Sequence, residues 1–149
     1  MNNRGFLFIE EAIIGSVKQL LSGRVNEILG NWEFTIPVVE FGNIGSNYAI
    51  TPVITLNGCE RMEKERIIRL NAYSLSISFS LQEHKDGELH CYGYAAAFGK
   101  ALGEDLTLGG VAVRAEITGK KYVPPKKPYN GEGWEVILIL RITAEENAI

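Results

Sequence analysis

One short segment of this 149-residue chain brings together side chains that could bind a metal or attack a substrate. His84, Glu88, His90 and Cys91 all lie between positions 84 and 91. On a helix, the adjacent His90 and Cys91 point about 100° apart, and no second pair of donors at metal-ligand spacing accompanies them. We therefore expect solvated histidines and a buried thiol here, rather than a metal site or a nucleophile.

The sequence carries none of the common catalytic motifs. No glycine-rich phosphate loop follows a strand, and no nucleophile elbow of the form GxSxG is present. The acidic pairs Glu10-Glu11 and Glu145-Glu146 lie towards the ends of the chain, where solvent exposure disfavours a tuned catalytic carboxylate. The sequence predicts a protein that is not an enzyme and that holds no metal or cofactor.

The local distribution of charge is more informative. Segment 114–127 has a net charge of +4, with Glu116 as its one acidic residue, in a chain whose net charge is −3. Its basic residues are Arg114, Lys120, Lys121, Lys126 and Lys127. Tyr122 and Tyr129 lie among or just after them and are amphipathic side chains typical of interfaces. Both a solvated hairpin tip and an electrostatic docking surface, for an acidic protein face or for nucleic acid, fit this pattern.

Composition limits the class of protein. Hydrophobic residues make up 46% and charged residues 22% of the chain, which are globular averages for one domain. A pI near 5.5 argues against a broad basic field for nonspecific binding of nucleic acid. The longest apolar run near the carboxyl end, 136–140, is far too short for a membrane helix, and we expect no signal peptide. Cys59 and Cys91 are expected to be reduced thiols.

Apolar periodicity predicts the elements of the first half. Residues 9–29 repeat at helical spacing and predict one amphipathic helix that ends at Gly30-Asn31. Segments 34–38 and 50–56 alternate in polarity and predict strands, with Asn57-Gly58 as a turn. The strand predicted up to Leu81 alternates apolar residues with four serines, at positions 74, 76, 78 and 80. This serine face is either solvated or packed flat against another surface.

The second half predicts a helix between two groups of strands. Segment 89–102 has buried-helix periodicity with several alanines, and a short connector follows it. Segments 111–118 and 134–142 predict strands, the second of them central because it is apolar on both sides. Between them, 119–133 predicts a long proline- and lysine-containing loop. The whole predicts one α+β domain over 1–149, a mainly antiparallel sheet with two helices on one face, in the order α-β-β-β-α-β-β.

This combination resembles the tail terminator proteins of long-tailed bacteriophages and prophages, which cap the tail tube. The resemblance covers nearly the whole chain. Its most specific piece is the connector with the pattern D-x-T-L-G-G, residues 105–110. It also rests on the opening helix, the strand entry Ile50–Ile54, the strand Tyr73–Leu81, the helix ending at Leu102 and the closing strand Trp134–Ile142.

The resemblance implies a structural subunit that forms a ring, typically a hexamer, on the end of the completed tail tube. Such a ring stops tube polymerisation and provides the surface that joins the head. Its partners would be other copies of itself, the tail tube protein, a head-completion or connector protein and DNA passing through the lumen, and no membrane. The protein would assemble in the host cytoplasm and end in the virion tail. Another head–tail connector subunit, or a small ligand-binding or enzymatic α+β domain using Glu88 and the two histidines, are the alternatives.

Overall fold

A long antiparallel sheet organises the chain. The computed structural model describes residues 8–32, 38–39, 49–62, 70–81, 87–126 and 133–145. The elements are α1 (Ile9–Leu21), α2 (Arg24–Asn31), β1 (Val38–Val39), β2 (Ala49–Ile50), β3 (Val53–Arg61), β4 (Leu70–Leu81), α3 (Gly87–Gly103), β5 (Arg114–Val123) and β6 (Trp134–Glu145). The four long strands form an antiparallel sheet in the order β3-β4-β6-β5, and β1 and β2 form a separate parallel pair. The predicted α+β class and central β6 are confirmed.

The predicted first helix is divided into two. Ser22 has an extended backbone with ψ of 124°, and Gly23 follows with φ of +77°, so the chain changes direction between α1 and α2. Glycine reaches a positive φ without the steric cost that other residues bear. Both helices bury their apolar stripes in one core, which explains why the periodicity alone indicated a single helix.

The predicted strand from Ile50 to Leu56 is wrong at both ends. Pro52 separates β2 from β3, because proline has no N–H with which to continue the ladder. At the other end β3 runs on to Arg61, so Asn57-Gly58 is not a turn between strands. The register against β4 shifts between Leu56 and Gly58, which places a bulge where the turn was predicted.

The predicted boundary between strand and loop at Gly119 is also wrong. Strand β5 begins at Arg114, three residues later than predicted, and continues through Gly119 to Val123. Its pairing with β6 reaches from Thr143 to Glu135, with a register shift between Ile117 and Gly119. The long β6 strand therefore supplies ladder partners that hold the lysine-containing segment in the sheet.

The core lies between one face of the sheet and the helices. The odd-numbered residues from Tyr73 to Leu81 on β4 are buried, as the alternation predicted. Phe79 stacks on Phe98 of α3 with ring centroids 5.1 Å apart, and its ring meets that of Tyr94 edge to face at 5.6 Å. Buried alanines of α3, such as Ala97 and Ala101, allow the helix to approach the sheet closely. No described helix is long and apolar enough to cross a membrane.

Candidate assembly surfaces

The basic residues singled out in the sequence lie along an edge strand rather than in a loop. Arg114 begins β5, and Lys120 and Lys121 lie near its end; all three are exposed. The seven-residue separation of Arg114 from Lys121 corresponds to about 20 Å along a strand. Lys126 is exposed beyond the strand, after Pro124-Pro125. The remaining two candidates, Lys127 and Tyr129, lie outside the described residues.

The register of β5 directs its two adjacent lysines to opposite faces of the sheet. Lys120 pairs with Leu138, whose side chain is in the core, and Lys121 pairs with Ile137, whose side chain is on the outer face. Because side chains alternate along a strand, the lysine-rich segment presents charge on both sides of the sheet edge. At the other end of β5, Arg114 Nε lies 3.7 Å from Glu116 Oε2, a loose and exposed ion pair.

Tyr122 packs against a residue that the sequence reasoning did not single out. Its ring meets the ring of Tyr92 on α3 edge to face, with centroids 5.1 Å apart and an interplanar angle of 84°. The Tyr92 hydroxyl donates a hydrogen bond of 2.6 Å to Glu88 Oε1, and this bond raises the pKa of Tyr92. Burial raises the pKa of Tyr122. Both phenols therefore stay neutral under physiological conditions.

These tyrosines belong to a patch at the β5 edge with an apolar character. Leu89, one turn before Tyr92 on α3, is 59% exposed, and Tyr92 is 46% exposed. Exposed tyrosine and leucine beside lysines are typical of protein interfaces with a hydrophobic centre and a charged rim. The sequence signal was present: Glu88, Leu89 and Tyr92 share one helical face at i, i+1 and i+4. Only the fold brings that face to the β5 edge.

The outer face of the sheet is left uncovered by the described residues. Ser74 and Ser80 are exposed, and Ser76 and Ser78 are half-buried. Beside the central serines lie Ile139 and Ile137 of β6, and Ile139 is 41% exposed. Asn57 of β3 donates a hydrogen bond of 3.2 Å to Ser76 Oγ. The face therefore presents small polar side chains next to the exposed Ile139 and the half-buried Ile137.

The connector that carried the resemblance forms a tightly hydrogen-bonded turn. Asp105 Oδ1 accepts hydrogen bonds from the backbone amide and the hydroxyl of Thr107, at 3.0 and 2.7 Å. Leu108, Gly109 and Gly110 then have φ values of +52°, +72° and +94°. The Leu108 side chain is buried, so burial offsets the strain of its left-handed backbone. The motif therefore has a clear structural role in joining α3 to β5.

An open cavity of about 390 Å³ lies between α1, α2 and this connector. Arg24 and Glu104 line it and neutralise one another through hydrogen bonds of 2.6 to 3.0 Å. Ser16, Gln19, Leu20, Asp105, Leu108 and Gly109 complete the lining. His90 and Cys91 of α3 are not among the lining residues.

The segment that could have supplied metal or nucleophile chemistry is only partly described. Cys91 is buried on α3, and burial together with the nearby Glu88 raises its pKa to about 11, so the thiol is protonated at neutral pH. His90 beside it is half-buried, and His84 lies outside the described residues. Among the described residues, no three His, Cys, Asp or Glu side chains come together in a metal-binding group.

The comparison with solved structures identifies a similar fold. No protein-family model matches the chain, and no curated protein sequence matches it. A chain from a structure described as the virion of a native gene transfer agent particle matches with a TM-score of 0.53 and 14% sequence identity. The match covers 94% of this chain and 99% of the other. At that identity the likeness shows that the two chains share a fold over nearly their whole lengths.

Proposed function

We propose that this protein is a structural subunit of a phage-type virion, and more specifically a tail terminator that assembles into a ring, a hexamer in the typical case, on the end of the tail tube. The observation that carries the proposal is the fold shared over nearly the whole of both chains with a component of a gene transfer agent virion. The D-x-T-L-G-G connector and the element order, which resemble tail terminators, support the finer assignment.

The surfaces of the molecule suit assembly. The sheet presents an uncovered face of serines and isoleucines, and exposed tyrosine, leucine and lysine side chains lie at its β5 edge. A ring built from such subunits would stop tube growth by occupying the surface on which the next layer of tube subunits binds. Its opposite side would meet a head-completion or connector protein, and lysines near the lumen would contact passing DNA. Assembly would take place in the host cytoplasm before the subunit enters the virion tail.

The first experiment is to measure the size of the purified protein by light scattering after size exclusion, and to image it by negative-stain electron microscopy. We expect a discrete ring, either alone or when tail tube protein is added. A monomer at all concentrations up to the near-millimolar range, with no ring on isolated tubes, would overturn the proposal.

The second experiment separates a terminator from another connector. Tail tube protein is polymerised with increasing amounts of this protein, and tube lengths are measured by electron microscopy. A terminator shortens the tubes and is found at one end of each. If the tubes keep their length and the protein binds only the head vertex, the head–tail connector alternative replaces the terminator assignment.

A charge-reversal variant tests the role of the basic edge in docking. Reversal of Lys120, Lys121 and Lys126 to glutamate is expected to weaken docking to partners, whether the tube or the next copy in the ring, more than it lowers the unfolding temperature, because all three side chains are exposed. Lys127 is added in a second variant to test the rest of the basic segment. Equal losses of stability and docking would show that the lysines are structural instead.

A further inference from the structure

The two edge strands of the sheet carry opposite charges at the same position along the strand direction. The strand registers place Glu60, Ala72, Thr143 and Arg114 in one row that crosses β3, β4, β6 and β5 in turn. Side chains that pair across a ladder point to the same face. Glu60 and Arg114 are therefore at opposite ends of one row on the outer face, and both are exposed.

Around Arg114, the β5 edge is basic overall. Lys120 and Lys121 follow along the strand, and both are exposed. Strand β5 itself carries these three basic side chains and the single carboxylate of Glu116, which pairs with Arg114 only loosely, at 3.7 Å, so a net positive charge remains.

Around Glu60, the β3 edge is acidic. Helix α1 contacts β3, and its first turn carries Glu10 and Glu11. Glu11 in the same turn is exposed, and Phe8 before it is 61% exposed. Arg61 is the basic residue of this strand. The described part of this edge therefore has three carboxylates, an exposed aromatic ring and one guanidinium group.

The two edge strands each have one sheet neighbour in the part of the chain that the structure describes, and the start of β5 is also flanked by the α3–β5 connector, because the Ala115 amide donates a hydrogen bond of 2.7 Å to the Leu106 carbonyl oxygen. Edge strands of nine and ten residues offer long rows of backbone groups for association with another chain. Strands alternate in direction along the order β3-β4-β6-β5, so β5 runs antiparallel to β3.

We propose that the β3 edge of one copy docks on the β5 edge of the next, with Glu60 of one subunit opposite Arg114 of its neighbour. This contact rests on the proposed ring and assigns the surfaces that form it. It is head-to-tail, because two different edges meet, and head-to-tail contacts are those that close into rings. A two-fold contact between β5 edges is disfavoured, since it would bring Arg114, Lys120 and Lys121 against a second set of the same charges.

Because Glu60 and Arg114 lie in one row, the same contact can repeat from each copy to the next. When a neighbouring copy is related by rotation about an axis along the strands, β3 and β5 run antiparallel across the contact, and the neighbour's Glu60 lies at the same position along the strand direction as Arg114. Further along, the row of Val53, Ser78, Ile137 and Lys121 places Val53, which is 58% exposed, next to the apolar stem of the neighbour's Lys121. Apolar contact therefore accompanies the charge pair.

Complementary charge reversals test this contact directly. Glu60→Lys brings a lysine against the neighbour's arginine, and Arg114→Glu brings a glutamate against the neighbour's Glu60. We expect each variant alone to need about a tenfold higher concentration for half-maximal assembly, because attraction is replaced by repulsion at every contact. An equimolar mixture should recover assembly, since alternating subunits again place opposite charges together. The double variant Glu60→Lys, Arg114→Glu should recover it too.

Glu145→Lys is the matched control. Glu145 is exposed on the same face but ends the central strand β6, away from both edges, so its reversal should leave assembly unchanged. Circular dichroism melts establish that all variants fold. If the wild type forms rings and neither single reversal weakens them, or if the mixture fails to recover, the edge assignment is overturned while the ring stands. If the wild type forms no ring even on tubes, both proposals fall together.

Discussion

Asp105 and Gly109 are joined by a hydrogen bond of 2.8 Å, in which the Gly109 backbone amide donates to Asp105 Oδ2. The other carboxylate oxygen holds both the amide and the hydroxyl of Thr107. The Asp105 carboxylate thus accepts three hydrogen bonds within one turn. Leu108, Gly109 and Gly110 in this turn have positive φ. The connector keeps its shape because this carboxylate accepts hydrogen bonds from backbone amides that have no partner in a β-sheet.

We expect Asp105→Ala to lower the free energy of unfolding by about 0.5–1.5 kcal/mol, because the exposed amides of Thr107 and Gly109 exchange their carboxylate acceptor for water. Urea denaturation followed by circular dichroism measures the change. Glu116→Ala is the control, since that carboxylate is exposed and makes one long ion pair, and it should shift stability by no more than about 0.5 kcal/mol. Equal effects in the two variants would show that the Asp105 hydrogen bonds do not hold the turn.

Two glycines of the first helical region should respond in opposite directions to alanine. Gly23 has φ of +77°, so Gly23→Ala is expected to cost about 1–2 kcal/mol through backbone strain alone, as nothing lies within 4 Å of the added methyl group. Gly30 is inside α2 with equally open surroundings, and Gly30→Ala should stabilise by about 0.5–1 kcal/mol. Thermal unfolding distinguishes them. Stabilisation by Gly23→Ala would contradict the positive φ and the helix break at Gly23.

The ion pair between Arg24 and Glu104 should make stability depend on pH on the acid side. The hydrogen bond from Arg24 lowers the pKa of Glu104 from its ordinary value of 4.5. The folded state therefore favours the carboxylate, so this stabilisation is complete above pH 4.5 and is lost as the pH falls through the lowered value.

Glu104→Gln tests that dependence. We expect lower stability at pH 7 and a flatter decline below pH 4.5 than in the wild type, measured by urea unfolding across the pH range. Glu27→Gln is the matched control, because Glu27 contacts the same guanidinium by one weaker bond of 3.3 Å and is 69% exposed. Its profile should follow that of the wild type.

The two thiols should differ in reactivity. Cys59 is exposed on β3, whereas Cys91 is buried with a pKa raised to about 11. We expect a thiol-specific chromogenic disulfide to modify one cysteine rapidly in the folded protein and the second only on unfolding. Cys59→Ser should abolish the fast phase, and Cys91→Ala should leave it intact. Rapid modification of both thiols in the wild type would contradict the burial of Cys91.

The sequence by itself determined the elements whose polarity patterns match a single buried face. The serine and apolar alternation of β4, the alanine-rich helix α3 and the apolar β6 strand were all predicted because periods of 2 and 3.6 residues record which side chains face the core. It also indicated the positive charge of segment 114–127. These are local properties, because they depend only on residues that are close together in the sequence.

Only the tertiary structure decided where those local features end and what they meet. Gly119 and the following lysines were predicted as loop, yet pairing with β6 extends β5 to Val123, because ladder partners outweigh the weak strand propensity of glycine and lysine. The pairing of Tyr122 with Tyr92, and the row that sets Glu60 and Arg114 at opposite edges, depend on strand order and register. Such contacts join residues far apart in the chain, so no periodicity within one segment records them.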